Sequence, residues 1–143
     1  MGHNHKGNYA KKHPDAKLNP ETQGPIQDAT RDGLMFCASA HRIAKSLGFT
    51  PGEIGVQADL LELRIAKCQL GLFGYAPNKK NLDPDVVISD DLQAQILKAQ
   101  TDGRIDCLTC WKLASKLNIS RIDMGSACEK LEIRIKPCQL GAF

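Results

Sequence analysis

Apolar residues recur at helical spacing along much of the chain, with short extended runs between them. Cys37, Ala40, Ala44 and Leu47 mark one amphipathic helix, and Ile54, Ala58 and Leu61 mark the next. The same two seams return as Cys107, Cys110, Ala114 and Leu117, then Met124, Cys128 and Leu131. A helix before each pair carries Ile26 and Ala29, or Leu92, Ile96 and Ala99. Extended pieces are predicted at 34–36 and 104–106, and again at 63–67 and 133–136.

The pattern is therefore a repeat. At an offset of 70 residues, 26–73 aligns with 96–143 without a gap, and 17 of the 48 positions are identical. Ordinary residue frequencies would give about three, so the duplication is real. Its most conspicuous stretch is Cys68-Gln69-Leu70-Gly71, repeated as Cys138-Gln139-Leu140-Gly141.

Local signals divide each copy in the same way. Ser89 suits the N-cap of the first helix in copy two, whereas Gly24-Pro25 predicts a later start and a shorter helix in copy one. Asp32-Gly33 and Asp102-Gly103 are expected to stop these helices through a left-handed C-terminal cap. Thr50-x-x-Glu53 and Ser120-x-x-Asp123 are capping boxes opening the third helices, the second weaker because it ends in Asp. Gly55 and Gly125 lie inside those helices, where Gly costs about 1 kcal/mol against Ala. Their recurrence suggests a close helix–helix approach.

Helix, short strand, helix, tight turn, helix, strand is an order that resembles a winged helix-turn-helix domain. Phe49-Thr50-Pro51 and Ile119-Ser120-Arg121 stand at the turn. The chain from about Lys17 also resembles a small bacterial family carrying this duplicated unit with two Cys-Gln-Leu-Gly-x-Phe endings; that resemblance implies an architecture and no activity. The expected fold is mainly α with short β-strands, as tandem winged-helix-like three-helix units in a pseudo-twofold arrangement. The expected organisation is a flexible N-terminal tail at 1–16, a first repeat at 17–74, a linker at 75–84 and a second repeat at 85–143. A unit of fewer than about 60 residues is marginal alone, so a shared core is expected.

Composition adds bounds. Hydrophobic residues make up 42% of the 143 positions, enough for a packed core, and a net charge of +3 is too mild to be a nucleic-acid signature. No apolar run approaches the roughly 18 residues of a membrane span, and the N-terminus has no apolar segment of a secretory signal. A cytoplasmic location follows as the expectation, with six cysteines held as reduced thiols. His3, His5 and His13 in the tail are at most loose metal ligands.

If the helix-turn-helix resemblance holds, the third helix would enter the major groove. Charge opposes that. Pro51–Glu62 holds Glu53, Asp59 and Glu62 with no basic residue, and Arg121–Glu132 holds Arg121 and Lys130 against Asp123, Glu129 and Glu132. Gln57 and Arg121 are the residues there suited to reading bases. The candidate nucleic-acid contacts lie instead at Arg42 and Lys45, at Lys112 and Lys116, and at Lys67 and Lys136 beside the strands. Glu62–Arg64 and Glu132–Arg134 have the spacing of an ion pair on one strand face.

Cys110 and Cys128 replace Ala40 and Ala58 of the other copy, which marks them as small core residues and not half of a zinc knuckle. Cys37, Cys68, Cys107 and Cys138 recur in both copies, but their spacing is unlike that of zinc sites. The motif residues Cys68, Gln69, Gly71, Cys138, Gln139 and Gly141 are expected in a turn. There Gln either bonds the backbone or presents its amide to a partner. No nucleophile–base pair or phosphate loop is present, and His41, the one central imidazole, is matched by Trp111. No cofactor is called for, and an enzyme is not expected. The expected function is a non-enzymatic regulatory or binding module, with DNA as the candidate partner. The alternatives are a protein-interaction or scaffold module, and a thiol-based metal or redox sensor.

Overall fold

The computed structural model describes residues 8–142, and these are mainly helical, with six α-helices and four short strands. They form two compact units. Unit 1 takes the chain up to Cys68 together with Leu140–Ala142, and unit 2 takes Gln69–Gln139. The Leu-Gly of each repeated motif thus belongs to the unit built on the other repeat.

Unit 1 contains α1 (Pro20–Ala29), β1 (Leu34–Phe36), α2 (Cys37–Leu47), α3 (Pro51–Leu60) and β2 (Arg64–Ala66). Unit 2 repeats the order as α4 (Asp90–Ala99), β3 (Arg104–Ile105), α5 (Cys107–Leu117), α6 (Arg121–Lys130) and β4 (Arg134–Ile135). The first helix of unit 1 is not the shorter one: α1 and α4 have 10 residues each. Asn19 accepts the Glu21 N–H at 2.9 Å, and Pro20 fills the first turn, a stronger start than Gly24-Pro25 offers. Pro25 then lies inside the helix, where it forgoes one backbone donor.

The Asp-Gly pairs also act differently from the expectation. Both first helices end before them, and each pair forms a turn of its own. Asp32 and Gly33 have φ of 53° and 76°, Asp102 and Gly103 have 53° and 77°. Arg31 and Leu34 exchange both backbone hydrogen bonds across the first turn, at 2.9 Å each, and Thr101 and Arg104 do the same across the second. Two successive left-handed residues are what a type I′ turn requires. These turns start the strands; they do not cap the helices.

β1 pairs with β2 and β3 with β4, both in parallel, with Met35 opposite Ile65 and Ile105 opposite Ile135. A wing made as a hairpin needs antiparallel neighbours joined by a short loop. Here two helices intervene between the partners. Glu62 and Glu132 precede the last strands in left-handed conformation, φ 57° and 59°, so neither Glu–Arg pair shares a strand face.

The third helices begin as predicted. Both halves of the Thr50–Glu53 box are made, at 3.1 and 2.9 Å, and Ser120 accepts from the Asp123 N–H at 3.0 Å. Gly55 and Gly125 meet backbone. A Cβ on Gly55 would stand 1.8 Å from the carbonyl oxygen of Leu140, and one on Gly125 would stand 1.8 Å from that of Leu70. Leu70 and Leu140 are themselves buried. The repeated Gly is therefore a seat for the repeated Leu: what comes close is the backbone of the motif turn, not the second helix that the recurrence suggested.

Candidate functional site

In a reading helix one face must reach the nucleic acid, yet α3 exposes little beyond Gly52 and Glu53. In α6 the five residues Met124–Cys128 are buried in succession. A helix covered on all sides is the centre of its unit. In unit 1 the cover is the N-terminal segment. Tyr9–Lys12 form a short 3-10 helix, and the Glu62 carboxylate accepts the N–H groups of Tyr9 and Ala10 at 2.8 and 3.0 Å. Asp59 Oδ2 lies 2.7 Å from His13 Nε2 and 3.1 Å from Lys12 Nζ. Gln57 clamps the backbone on both sides of Leu18, accepting from the Asn19 N–H at 2.8 Å and donating to the Lys17 carbonyl at 3.1 Å.

From Asn8 onward the expected flexible tail is thus a fixed strap; His3 and His5 lie outside the described residues. Asp59 of α3 does face basic groups, but those groups belong to the same chain. Gln57, a candidate base reader, is spent on the backbone of the strap.

Unit 2 is built likewise. Lys80 Nζ meets Glu129 at 2.7 Å, the Asp83 N–H donates to Ser126 Oγ at 2.8 Å, and Lys130 Nζ donates to the Val86 carbonyl at 3.3 Å. Much of the expected linker 75–84 therefore lies against α6. One sequence signal for the straps existed: Asn8, Pro14 and Asp15 recur at the same 70-residue offset as Asn78, Pro84 and Asp85. The duplication begins earlier than its apolar seams do.

The candidate basic residues stand clear of this. Arg42, Lys45, Lys67, Lys112, Lys116 and Lys136 are all exposed. α2 and α5 contain no carboxylate along their length. Lys67, with φ 51°, holds its ammonium 4.8 Å from the centre of the Phe36 ring, at the start of α2. The Lys136 N–H bonds the Ile105 carbonyl at 2.8 Å, just before α5 begins. In each unit the strand–turn lysine thus joins the second helix at its N-terminal end. Arg121 stacks on Trp111, 3.6 Å from the ring centre, and donates to Gln69 Oε1 at 3.3 Å. His41 is half-buried on α2.

No protein-family model, curated protein or solved structure gives a significant match to the chain.

Within the repeated motif both Gln amides bond side chains. Gln69 accepts from Arg121, and Gln139 Nε2 donates to Cys107 Sγ at 3.3 Å. Gly71 and Gly141 have φ of 81° and 78°, as a turn demands. Cys37, Cys68 and Cys107 are buried and Cys138 is half-buried. Among the described residues no group of three or more His, Cys, Asp or Glu is arranged to hold a metal, and no helix is long and apolar enough to cross a membrane.

Asp106 distinguishes the two second helices. Its carboxylate accepts from the Thr109 N–H at 3.0 Å and from the Thr109 hydroxyl at 2.6 Å, capping α5, whereas Phe36 offers α2 no side-chain cap. Burial would raise the Asp106 carboxyl, but the hydroxyl and backbone hydrogen bonds, with help from Lys112, hold it below its ordinary 3.8. A depressed carboxyl stabilises the fold above its unfolded pKa, and that contribution disappears as pH falls through the lower folded value. Asp106→Ala should cost about 1 kcal/mol at pH 7. In urea unfolding the gap from the parent should narrow on acidification below pH 4; a gap independent of pH would refute the charged cap.

Proposed function

We propose that this protein is a non-enzymatic regulatory or binding module of two three-helix units, whose partner is nucleic acid held at its phosphates by α2 and α5. One observation carries the reading: the exposed charges of α2 and α5, at Arg42, Lys45, Lys112 and Lys116, are all basic, whereas those of the third helices include Glu53 and Glu129. In helix-turn-helix docking the helix before the reading helix crosses the backbone, a role that α2 and α5 can fill without the other half of the arrangement. Phosphate contacts position a protein without reading bases, so the expected binding is weakly sequence-specific.

The test is Lys45→Glu with Lys116→Glu, assayed against duplexes of unrelated sequence. Affinity should fall equally for all of them, and the slope of log affinity against log salt should drop by about 1 for each phosphate no longer neutralised. If Arg121→Ala instead abolished recognition of one defined site and spared general binding, α6 would be reading bases and this proposal would fail.

A protein partner is the second reading, favoured by Leu108, 44% exposed and one turn before Lys112 on α5. An apolar and basic strip of that kind suits an acidic amphipathic segment. Binding by such a partner would respond to Leu108→Ser, which phosphate binding would not.

A further inference from the structure

Unit 2 departs from unit 1 at two buried positions together. Ala40 and Ala58 are fully buried in unit 1, and Cys110 and Cys128 are fully buried at the equivalent places in unit 2. The two thiols touch, sharing a hydrogen bond where α5 meets α6. Alanine is sufficient for packing at both positions, as unit 1 demonstrates, so packing alone does not account for a pair of contacting sulfurs.

A third thiol stands in front of them. Cys107 is the first residue of α5, one turn before Cys110 on the same buried side. Its sulfur accepts a hydrogen bond from the Gln139 amide at 3.3 Å. The start of a helix and an amide N–H thus both face the Cys107 sulfur. Cys107 retains 5% exposure, whereas Cys110 and Cys128 have none. Unit 1 has Cys37 at the place of Cys107 but no thiol behind it at position 40 or 58.

We propose that Cys107, Cys110 and Cys128 form a thiol–disulfide exchange site, in which Cys107 reacts with a small disulfide of the glutathione type and Cys110–Cys128 is the stored product. In the first step the Cys107 thiolate attacks one sulfur of the small disulfide. The S–S bond breaks, one small thiolate leaves and takes up the proton that Cys107 released, and a mixed disulfide remains. Cys110 then attacks Cys107 Sγ, the second small thiol departs with the Cys110 proton, and a Cys107–Cys110 bond forms. Finally Cys128 attacks Cys110 Sγ, and Cys107 is restored as a thiol by the proton from Cys128. Two protein thiols have lost two electrons, and one small disulfide has become two thiols.

Cys110 and Cys128 are fully buried, so solution oxidants do not reach them directly. Cys107 must carry the equivalent inward.

The experiment treats the full chain with oxidised glutathione at pH 8, blocks remaining thiols by alkylation and maps tryptic peptides. Residues 105–112 carry Cys107 and Cys110, and 122–130 carry Cys128. The expected product joins these two peptides and reverses with a dithiol reductant. Cys107→Ser should slow the linkage about tenfold or more without changing which peptides are joined. Cys128→Ala should stop at a disulfide within 105–112, and Cys110→Ala should leave glutathione on Cys107. The alanine variants copy residues that unit 1 already packs and are expected to melt within about 1 kcal/mol of the parent. Near-UV circular dichroism checks that all three variants are folded. Absence of the joined peptides, linkage through Cys138 instead, or an unchanged rate in Cys107→Ser would overturn the proposal.

Discussion

Gly125→Ala is expected to abolish cooperative folding of unit 2, and Gly55→Ala to do the same in unit 1. The added Cβ would sit 1.8 Å from a carbonyl oxygen in each case, and 2.9 or 2.7 Å from the carbonyl carbon. These atoms are backbone, so no rotamer change relieves the contact. Either the third helix moves or Leu70 and Leu140 leave their buried places. Overpacking costs about 1–3 kcal/mol when side chains can adjust, and more when they cannot. Domains of this size hold about 5–15 kcal/mol in all. Gly24→Ala is the control: it lies in α1 and, apart from its chain neighbours Gln23 and Pro25, nothing stands within 4 Å of the new methyl. That change should shift stability by less than about 1 kcal/mol, because the better helix propensity of Ala is offset by crowding against the Pro25 ring. Thermal and urea unfolding decide the matter. A Gly125→Ala protein with the parent's midpoint would mean that Leu70 does not seat there.

Deleting residues 1–16 is the second large effect. It removes both N–H donors to the Glu62 carboxylate and both basic partners of Asp59. Hydrogen bonds to charged groups contribute about 1.5–3 kcal/mol each, and the half-exposed Lys12 adds little. The two Glu62 bonds sum to about 3–6 kcal/mol and the ordering entropy of the strap offsets part of that, so a net loss of about 2–4 kcal/mol is expected in unit 1. Hydrogen exchange should quicken along α3 and stay unchanged along α6, whose strap comes from residues near 80. Gln57→Ala tests the same cover without shortening the chain and should cost less, since it breaks two neutral backbone bonds. An unaltered melting curve after deletion would mean that the segment is a tail after all.

Both experiments concern the third helices, where sequence and structure differ most. A charge of −3 on Pro51–Glu62 argues against a DNA-reading face. The sequence did not show that Asp59, Glu62 and Gln57 already have partners. Those partners are mostly backbone N–H and C=O groups 38 to 53 residues away. Backbone groups are the same in every residue, so a strap held by them leaves no periodic apolar trace. Only the recurrence of Asn8, Pro14 and Asp15 marked it.

The thiol site divides in a similar way. The exchange of Ala40 and Ala58 for Cys110 and Cys128 is legible by laying one repeat on the other. That the two sulfurs touch, with Cys107 and the Gln139 amide in front, depends on how α5 packs on α6 and where the motif turn lands.

The sequence by itself determined the duplication, the six helices, the caps at Thr50, Ser89 and Ser120 and the small-residue seams. Apart from the duplication, each of these is set by neighbours within about four residues, through helical periodicity and unsatisfied end groups. Tertiary structure decided the parallel strand pairs, the straps across α3 and α6, and the seating of Leu140 on Gly55 and Leu70 on Gly125. These are contacts between distant segments. Their energy lies in shape and backbone pairing, which local pattern does not encode, and a buried glycine records only that something must come close.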